Sequence, residues 1–124
     1  MEYKTNPVGN EISCVFHNVS NEILNNHRLI KGSLIEALKK EGFTILDISS
    51  HEFSPQGFSF CALIAESHAT IHTYPEYNSL AFHLYSCRSP NDGQIVLKHL
   101  KEKLKPERIK LATKKVIVDP NFKT

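Results

Sequence analysis

At 124 residues the chain is long enough for one domain with a real core and too short for two comfortable ones. Apolar residues at 40% and charged residues at 23% give an ordinary globular composition and exclude a disordered chain. The formal charge of +2 comes from spread lysines, densest over residues 98–115 and interleaved with Glu102 and Glu107, which is the pattern of a solvated helix face and not of a nucleic-acid stripe. The longest apolar run, residues 60–65, is far below spanning length and the N-terminal stretch is polar, so no membrane partner is expected and the cytoplasm is the expected location. Cys14, Cys61 and Cys87 are odd in number and widely spaced, which suggests neither a disulfide framework nor a Cys-x-x-Cys zinc site; Cys14 and Cys61 read as core residues.

In chain order, residues 1–10 carry Pro7 and Gly9 and read as a loosely held lead-in. Residues 11–17 offer a first strand with Ile12, Cys14 and Phe16 on one face. A polar connector over 18–26 follows. Leu29, Ile30, Leu34, Ala37 and Leu38 then recur at three- and four-residue spacing, with Gly42 where a C-cap glycine belongs, which predicts a helix over 26–40. Residues 43–49 are β-rich, 51–57 form a link through Pro55 and Gly57, and 58–66 make the third strand.

Residues 60–75 change character in the middle, from an apolar run to a row of hydroxyls and imidazoles, without any turn signal. If the second half is also extended, alternation puts His68, Thr70, His72 and Tyr74 on one face and Ala69, Ile71 and Thr73 on the other. Residues 79–87 alternate again, Leu80, Phe82, Leu84 and Ser86 opposing Ala81, His83, Tyr85 and Cys87. A turn over 89–93, with Asn91 or Asp92 as the cap, leads to a helix through Lys105, and two short β candidates, 108–112 and 115–118, precede a polar tail. Short links between neighbouring strands predict an α+β fold, a two-layer sandwich with a mainly antiparallel sheet and both helices on one face. Apolar side chains on the second face point to a dimer.

His68 and His72 have the spacing of two helical zinc ligands, but Thr70, Ile71, Thr73 and Pro75 argue against a helix, so no metal is expected. Ser67 lacks the Gly-x-Ser-x-Gly elbow of a hydrolase. Taken singly, Ser67, His72 and Cys87 are a strand serine, a hydrogen-bonded histidine and a buried thiol.

Together they carry a resemblance. The run ESHATIHTYPEY at 66–77 resembles the self-processing segment of the small prokaryotic S-adenosylmethionine decarboxylases, pyruvoyl-dependent enzymes that feed spermidine synthesis. HEFSPQGFS at 51–59 is similar to the stretch upstream of that family's cleavage site, and LYSC at 84–87 resembles the strand bearing its catalytic cysteine. The resemblance implies a proenzyme that cuts itself between Glu66 and Ser67 into residues 1–66 and 67–124. Ser67 is then the precursor of a pyruvoyl cofactor that forms a Schiff base with the substrate, S-adenosylmethionine. By motif match His72 is the processing base, Ser59 assists, Cys87 donates the proton in decarboxylation, Glu76 binds the ribose, and Phe53 and Tyr74 hold the adenine or sulfonium. A homodimer of processed protomers is expected.

The chain departs from the family pattern around these residues. Gly9-Asn10-Glu11 stands where Gly-x-His is usual, Tyr74 replaces a tryptophan and Asn78 a glycine, His83 stands for an acid, and Arg88 follows the cysteine in place of glycine. An added cation at Arg88 disfavours a sulfonium, which leaves pyruvoyl-dependent decarboxylation of arginine or ornithine as the alternative. The reading from another class is an inactive homologue acting as a regulatory or binding subunit.

Overall fold

The computed structural model describes residues 6–123. Six strands, β1 (Val8–His17), β2 (Ile45–Glu52), β3 (Phe58–Ile64), β4 (Ser67–Tyr74), β5 (Ser79–Ser86) and β6 (Arg108–Ile117), form one sheet in the order β2-β3-β4-β5-β1-β6. Every pairing is antiparallel. Helices α1 (Asn21–Leu24), α2 (His27–Lys40) and α3 (Gln94–Leu104) cover one face, where Ile30, Leu34, Leu38, Val96, Leu100 and Leu104 share a core with Phe16, Phe60, Ile71, Phe82 and Leu84. The two-layer α+β sandwich is as the sequence predicts.

Several boundaries differ, each for a physical reason. Part of the expected loose lead-in belongs to β1, which pairs as far as Val8 with Ile117; residues 1–5 lie outside the described residues. The polar connector contains α1, whose first turn is capped by Ser20 accepting from the Ile23 N–H at 3.2 Å. The two β candidates at the C-terminal end are one strand, because β1 offers an unbroken ladder from His17 to Val8.

Helix α2 ends as Gly42 promises. With Gly42 at φ 83, its N–H donates to Lys39 O and the Phe43 N–H to Leu38 O, a Schellman closure. Helix α3 starts differently from expectation. Its N-cap is Gly93, and neither Asn91 nor Asp92 caps it; instead the Glu41 carboxylate, carried in from the end of α2, accepts from the N–H groups of Gly93 at 2.6 Å and Val96 at 2.9 Å. Gly93 is required twice over, by its φ of 104 and by a Cβ that would sit 2.7 Å from Leu84 Cδ2.

Among the described residues, the other face of the sheet carries no helix. Register places Ser59, His72 and Ala81 in one cross-strand row, Cys61, Thr70, His83 and Ser13 in the next, and Leu63, His68, Tyr85 and Glu11 in a third. Cys61 is therefore exposed, not in the core, because the apolar run alternates and only Phe60, Ala62 and Ile64 face the helices. This open face is more polar than the expected apolar second face.

Candidate active site

The 60–75 stretch is two strands, not a continuous one. Ile64 pairs with Ser67, so Ala65 and Glu66 form a two-residue hairpin turn. Glu66 takes φ 64, a left-handed conformation that costs a residue with a side chain roughly 1–2 kcal/mol. The peptide immediately after it is Glu66–Ser67. Ser67 opens β4 on the helix-facing side, is 6% exposed, and its buried hydroxyl has no hydrogen-bond partner among the described residues. An unsatisfied buried hydroxyl costs about 1–3 kcal/mol. A left-handed backbone and an uncommitted hydroxyl thus meet at one bond.

Cys87 lies at the same end of the sheet, since the residue before it, Ser86, is the register partner of Ser67. It is half-buried. Its neighbour Tyr85, which the sequence reading left unassigned, is tied to it: hydrogen bonding with the Cys87 side chain, then burial and the charges of Cys87 and Glu11, push the Tyr85 phenol above its ordinary range. The Tyr85 ring also explains Gly9, where a Cβ would come within 2.6 Å of the phenol oxygen. By contrast Cys14 is buried among apolar residues, which pushes its thiol up to about 11 against the opposing charge of Lys101.

Ser59 and His72 are register partners on the open face, the last pair of the β3–β4 ladder away from the hairpin, with Ser59 Oγ 2.7 Å from His72 Nδ1. Burial, and secondly the charge of His83, hold the His72 imidazole below its ordinary range, so it is neutral near pH 7. In the tautomer whose Nδ1–H donates to Ser59, Nε2 keeps a free lone pair. His83 Nε2 lies 3.2 Å from Ser13 Oγ.

Phe53, Tyr74 and Glu76 occupy the far end of β4. Glu76 sits in a 3-10 turn (Pro75–Tyr77) and its carboxylate accepts from Gln56 at 3.5 Å, which sets the 53–57 loop beside that turn. Phe53 and Tyr74 are 52% and 43% exposed, available to a ligand. Asn78, in place of a glycine, has φ 52, and asparagine is among the few other residues that tolerate that conformation.

The expected residues therefore form two groups. Glu66, Ser67 and Cys87 share one end; Ser59, His72, Phe53, Tyr74 and Glu76 share the other end. His72 faces the open side while Ser67 faces the helices, and the strand rise separates them by about 17 Å. The same extension sets His68 about 13 Å from His72, too far for one metal ion.

Arg88 does not add a free cation to either group. Its guanidinium holds Asp92 through Nε at 3.0 Å and Nη2 at 3.1 Å, donates to the carbonyls of Gly42 and Glu41 at 3.0 Å each, and lies 3.7 Å above the Phe43 ring. It fastens the β5–α3 loop to the end of α2. Burial opposes ionisation of Asp92, but hydrogen bonds from Arg88 and Ser86, with the charge of Arg88, outweigh it and hold the carboxyl below its ordinary range.

Six antiparallel strands under helices on one face, with a left-handed hairpin residue and a buried serine at one end and an imidazole–hydroxyl pair on the open side, define an α+β sandwich. A family model described as S-adenosylmethionine decarboxylase matches residues 10–115. The S-adenosylmethionine decarboxylase proenzyme of Brevibacillus brevis is 38% identical over 108 residues, covering 87% of this chain and 80% of that protein. That of Thermotoga petrophila is 36% identical over 102 residues, covering 82% and 78%. In fold, the chain is similar to the adenosylmethionine decarboxylase from Aquifex aeolicus, with a TM-score of 0.84 at 22% identity over 96% of this chain and 98% of that one. The chain belongs to the S-adenosylmethionine decarboxylase family.

Proposed function

We propose that this chain is a self-processing S-adenosylmethionine decarboxylase that cuts itself between Glu66 and Ser67 into residues 1–66 and 67–124 and works as a homodimer in the cytoplasm. The observation that carries the reading is the juxtaposition at that bond: Glu66 in a left-handed conformation, followed by a buried Ser67 hydroxyl with no partner. A hydroxyl so placed is ready to attack the preceding carbonyl and exchange the amide for an ester. Removal of the Ser67 Cα proton then breaks the Cβ–Oγ bond and releases the Glu66 carboxylate, and water converts the resulting dehydroalanine to a pyruvoyl group with loss of ammonia.

Conversion of residue 67 to a pyruvoyl group supplies a carbonyl that serves as electron sink when a bound amino acid loses carbon dioxide. The fit rests on Ser67 itself, the terminal residue of β4 with its Cα beside the hairpin. His72, neutral and with Nε2 free, is the base for the Cα proton, and Ser59 orients its ring. Cys87, at the Ser67 end of the sheet, holds the proton for the product. Because His72 and Ser67 of one chain lie on opposite faces, His72 reaches a Ser67 only from a second copy, which supports the homodimer. Free thiols at Cys14, Cys61 and Cys87 suit a reducing compartment.

Glu76 accepts two ribose hydroxyl hydrogen bonds, and the exposed faces of Phe53 and Tyr74 receive the adenine or the sulfonium. The case for arginine or ornithine weakens, since the Arg88 charge is spent on Asp92. An inactive regulatory subunit has no observation in its favour while Ser59, Ser67, His72 and Cys87 stand intact.

Intact mass and denaturing gels test the first half. The purified chain runs as two pieces divided at Glu66–Ser67, and Ser67→Ala stays whole; a wild-type chain that remains uncut sinks the reading. Release of labelled carbon dioxide from S-adenosylmethionine, ornithine and arginine in parallel tests the second. Activity confined to an amino acid overturns the assigned substrate.

A further inference from the structure

With His72 of a second copy assigned to the Ser67 Cα proton, the Ser67 hydroxyl still needs a group to take its own proton. What stands next to Ser67 on its own face is Ser86. The two are register partners on β4 and β5, both turned toward the helices, and Ser86 is completely buried. Directly opposed side chains in an antiparallel pair have Cβ atoms about 5 Å apart, so rotation about one side-chain bond brings the two hydroxyls together.

Ser86 is already committed in a way that makes it an acceptor. Its hydroxyl donates to Asp92 Oδ2 at 2.5 Å and receives the Arg88 N–H at 3.3 Å. A serine oxygen has two lone pairs, so one remains for a further donor. Ser67, buried and unpartnered, is a donor lacking an acceptor. Asp92 is 8% exposed and gripped by the Arg88 guanidinium at two oxygens. That grip keeps a carboxylate anionic one hydroxyl away from the nucleophile.

We propose that Ser86, backed by Asp92, is the proton acceptor for the Ser67 hydroxyl in the first step of self-cleavage, with Asp92 as a positioning residue that acts through it and Arg88 holding Asp92 in place. The inference rests on the self-cleavage reading above. As Ser67 Oγ bonds to the Glu66 carbonyl carbon, the Oγ proton passes to Ser86 Oγ and the Ser86 proton to the Asp92 carboxylate, while the carbonyl π pair moves onto its oxygen. When that pair returns and the Glu66 C–Ser67 N bond breaks, the relay runs backward and the proton ends on the Ser67 nitrogen. An amide becomes an ester and an amine, with nothing added.

The test is the time course of cutting in freshly translated full-length chain, followed by denaturing gel and intact mass. Ser86→Ala and Asp92→Asn slow the cut by about a hundredfold, the scale expected for losing a positioned proton acceptor, while Ser86→Thr, which keeps the hydroxyl, stays close to wild type. Ester trapping identifies the affected step. A His72→Ala chain stalls after the acyl shift and is split by hydroxylamine at Glu66–Ser67; adding Ser86→Ala removes that hydroxylamine-sensitive population. Wild-type cutting rates in both Ser86→Ala and Asp92→Asn overturn the relay and leave self-cleavage standing. So does undiminished ester in the His72→Ala, Ser86→Ala double variant, because the block would then lie after the acyl shift. A wild-type chain that never cuts removes the self-cleavage reading, and the relay with it.

Discussion

At the proposed cleavage bond one residue departs from a local backbone rule. Glu66 holds a left-handed backbone that glycine or asparagine would occupy more cheaply, whereas Asn78, also left-handed, is an ordinary choice for its turn. His72 is the residue whose protonation should be visible in kinetics. Burial and the neighbouring His83 lower its pKa below the ordinary 6.5, so the neutral, proton-accepting form dominates at pH 7 and is lost only as pH falls through the lowered value. Self-cleavage should be flat above pH 6.5 and decline well below it, and His83→Ala should move the break upward toward the ordinary histidine value. A rate measured from pH 5 to 8 that breaks above 7 would remove His72 as the base. Motif order assigned roles to these side chains, but it gave no sign of the fate of Arg88. Sequence shows a cation beside Cys87; only the fold shows Asp92, Phe43 and two helix carbonyls absorbing it.

The junction of α2, β5 and α3 is fastened at the scale of elements. Glu41 ends α2 and caps α3, an arrangement without trace in the spacing of either helix, since a cap from a distant part of the chain leaves no local pattern. Loss of this carboxylate in Glu41→Ala should cost about 1–2 kcal/mol in urea unfolding of the uncut Ser67→Ala chain, with Glu41→Gln retaining part of it. Asp92 makes the same junction acid-sensitive. Its folded pKa is depressed, so its contribution is full above the ordinary carboxyl value near 3.8 and is lost as pH falls through the lower folded value. The urea midpoint of the wild-type background should therefore fall more steeply than that of Asp92→Asn below pH 4. Strands and long helices were legible because burial enforces periods of two and 3.6. The hairpin at Ala65 and Glu66 was not, because its turn lacks the glycine, asparagine or aspartate that usually mark one, and the missing signal is the strain itself.

Across the whole molecule, the division of the site into two groups sets the sharpest requirement. Ser67, on the helix side, and Cys87 stand at one end of β4 and β5, while Ser59, His72 and the candidate substrate residues stand on the open face and toward the other end. An open face bearing His68, His72, His83, Tyr85, Val15 and Leu63 is a surface that a second copy can cover. If a two-fold related copy brings its Ser59–His72 pair to the Ser67 of the first, each reactive centre draws on both chains, and variants defective in different groups must rescue each other. A Ser67→Ala chain cannot be cut, and a His72→Ala chain alone stalls. Expressed together with separable tags, they form mixed dimers in which the intact His72 of the Ser67→Ala chain meets the intact Ser67 of the His72→Ala chain. That one centre should process, so the His72→Ala tag should appear on cut pieces in up to about half of the molecules expected from random pairing. Two Ser67→Ala chains with different tags give no product and serve as the control. Mixed dimers that are isolated by both tags and still stall would place every processing residue within a single chain, against the separation that the strand geometry imposes.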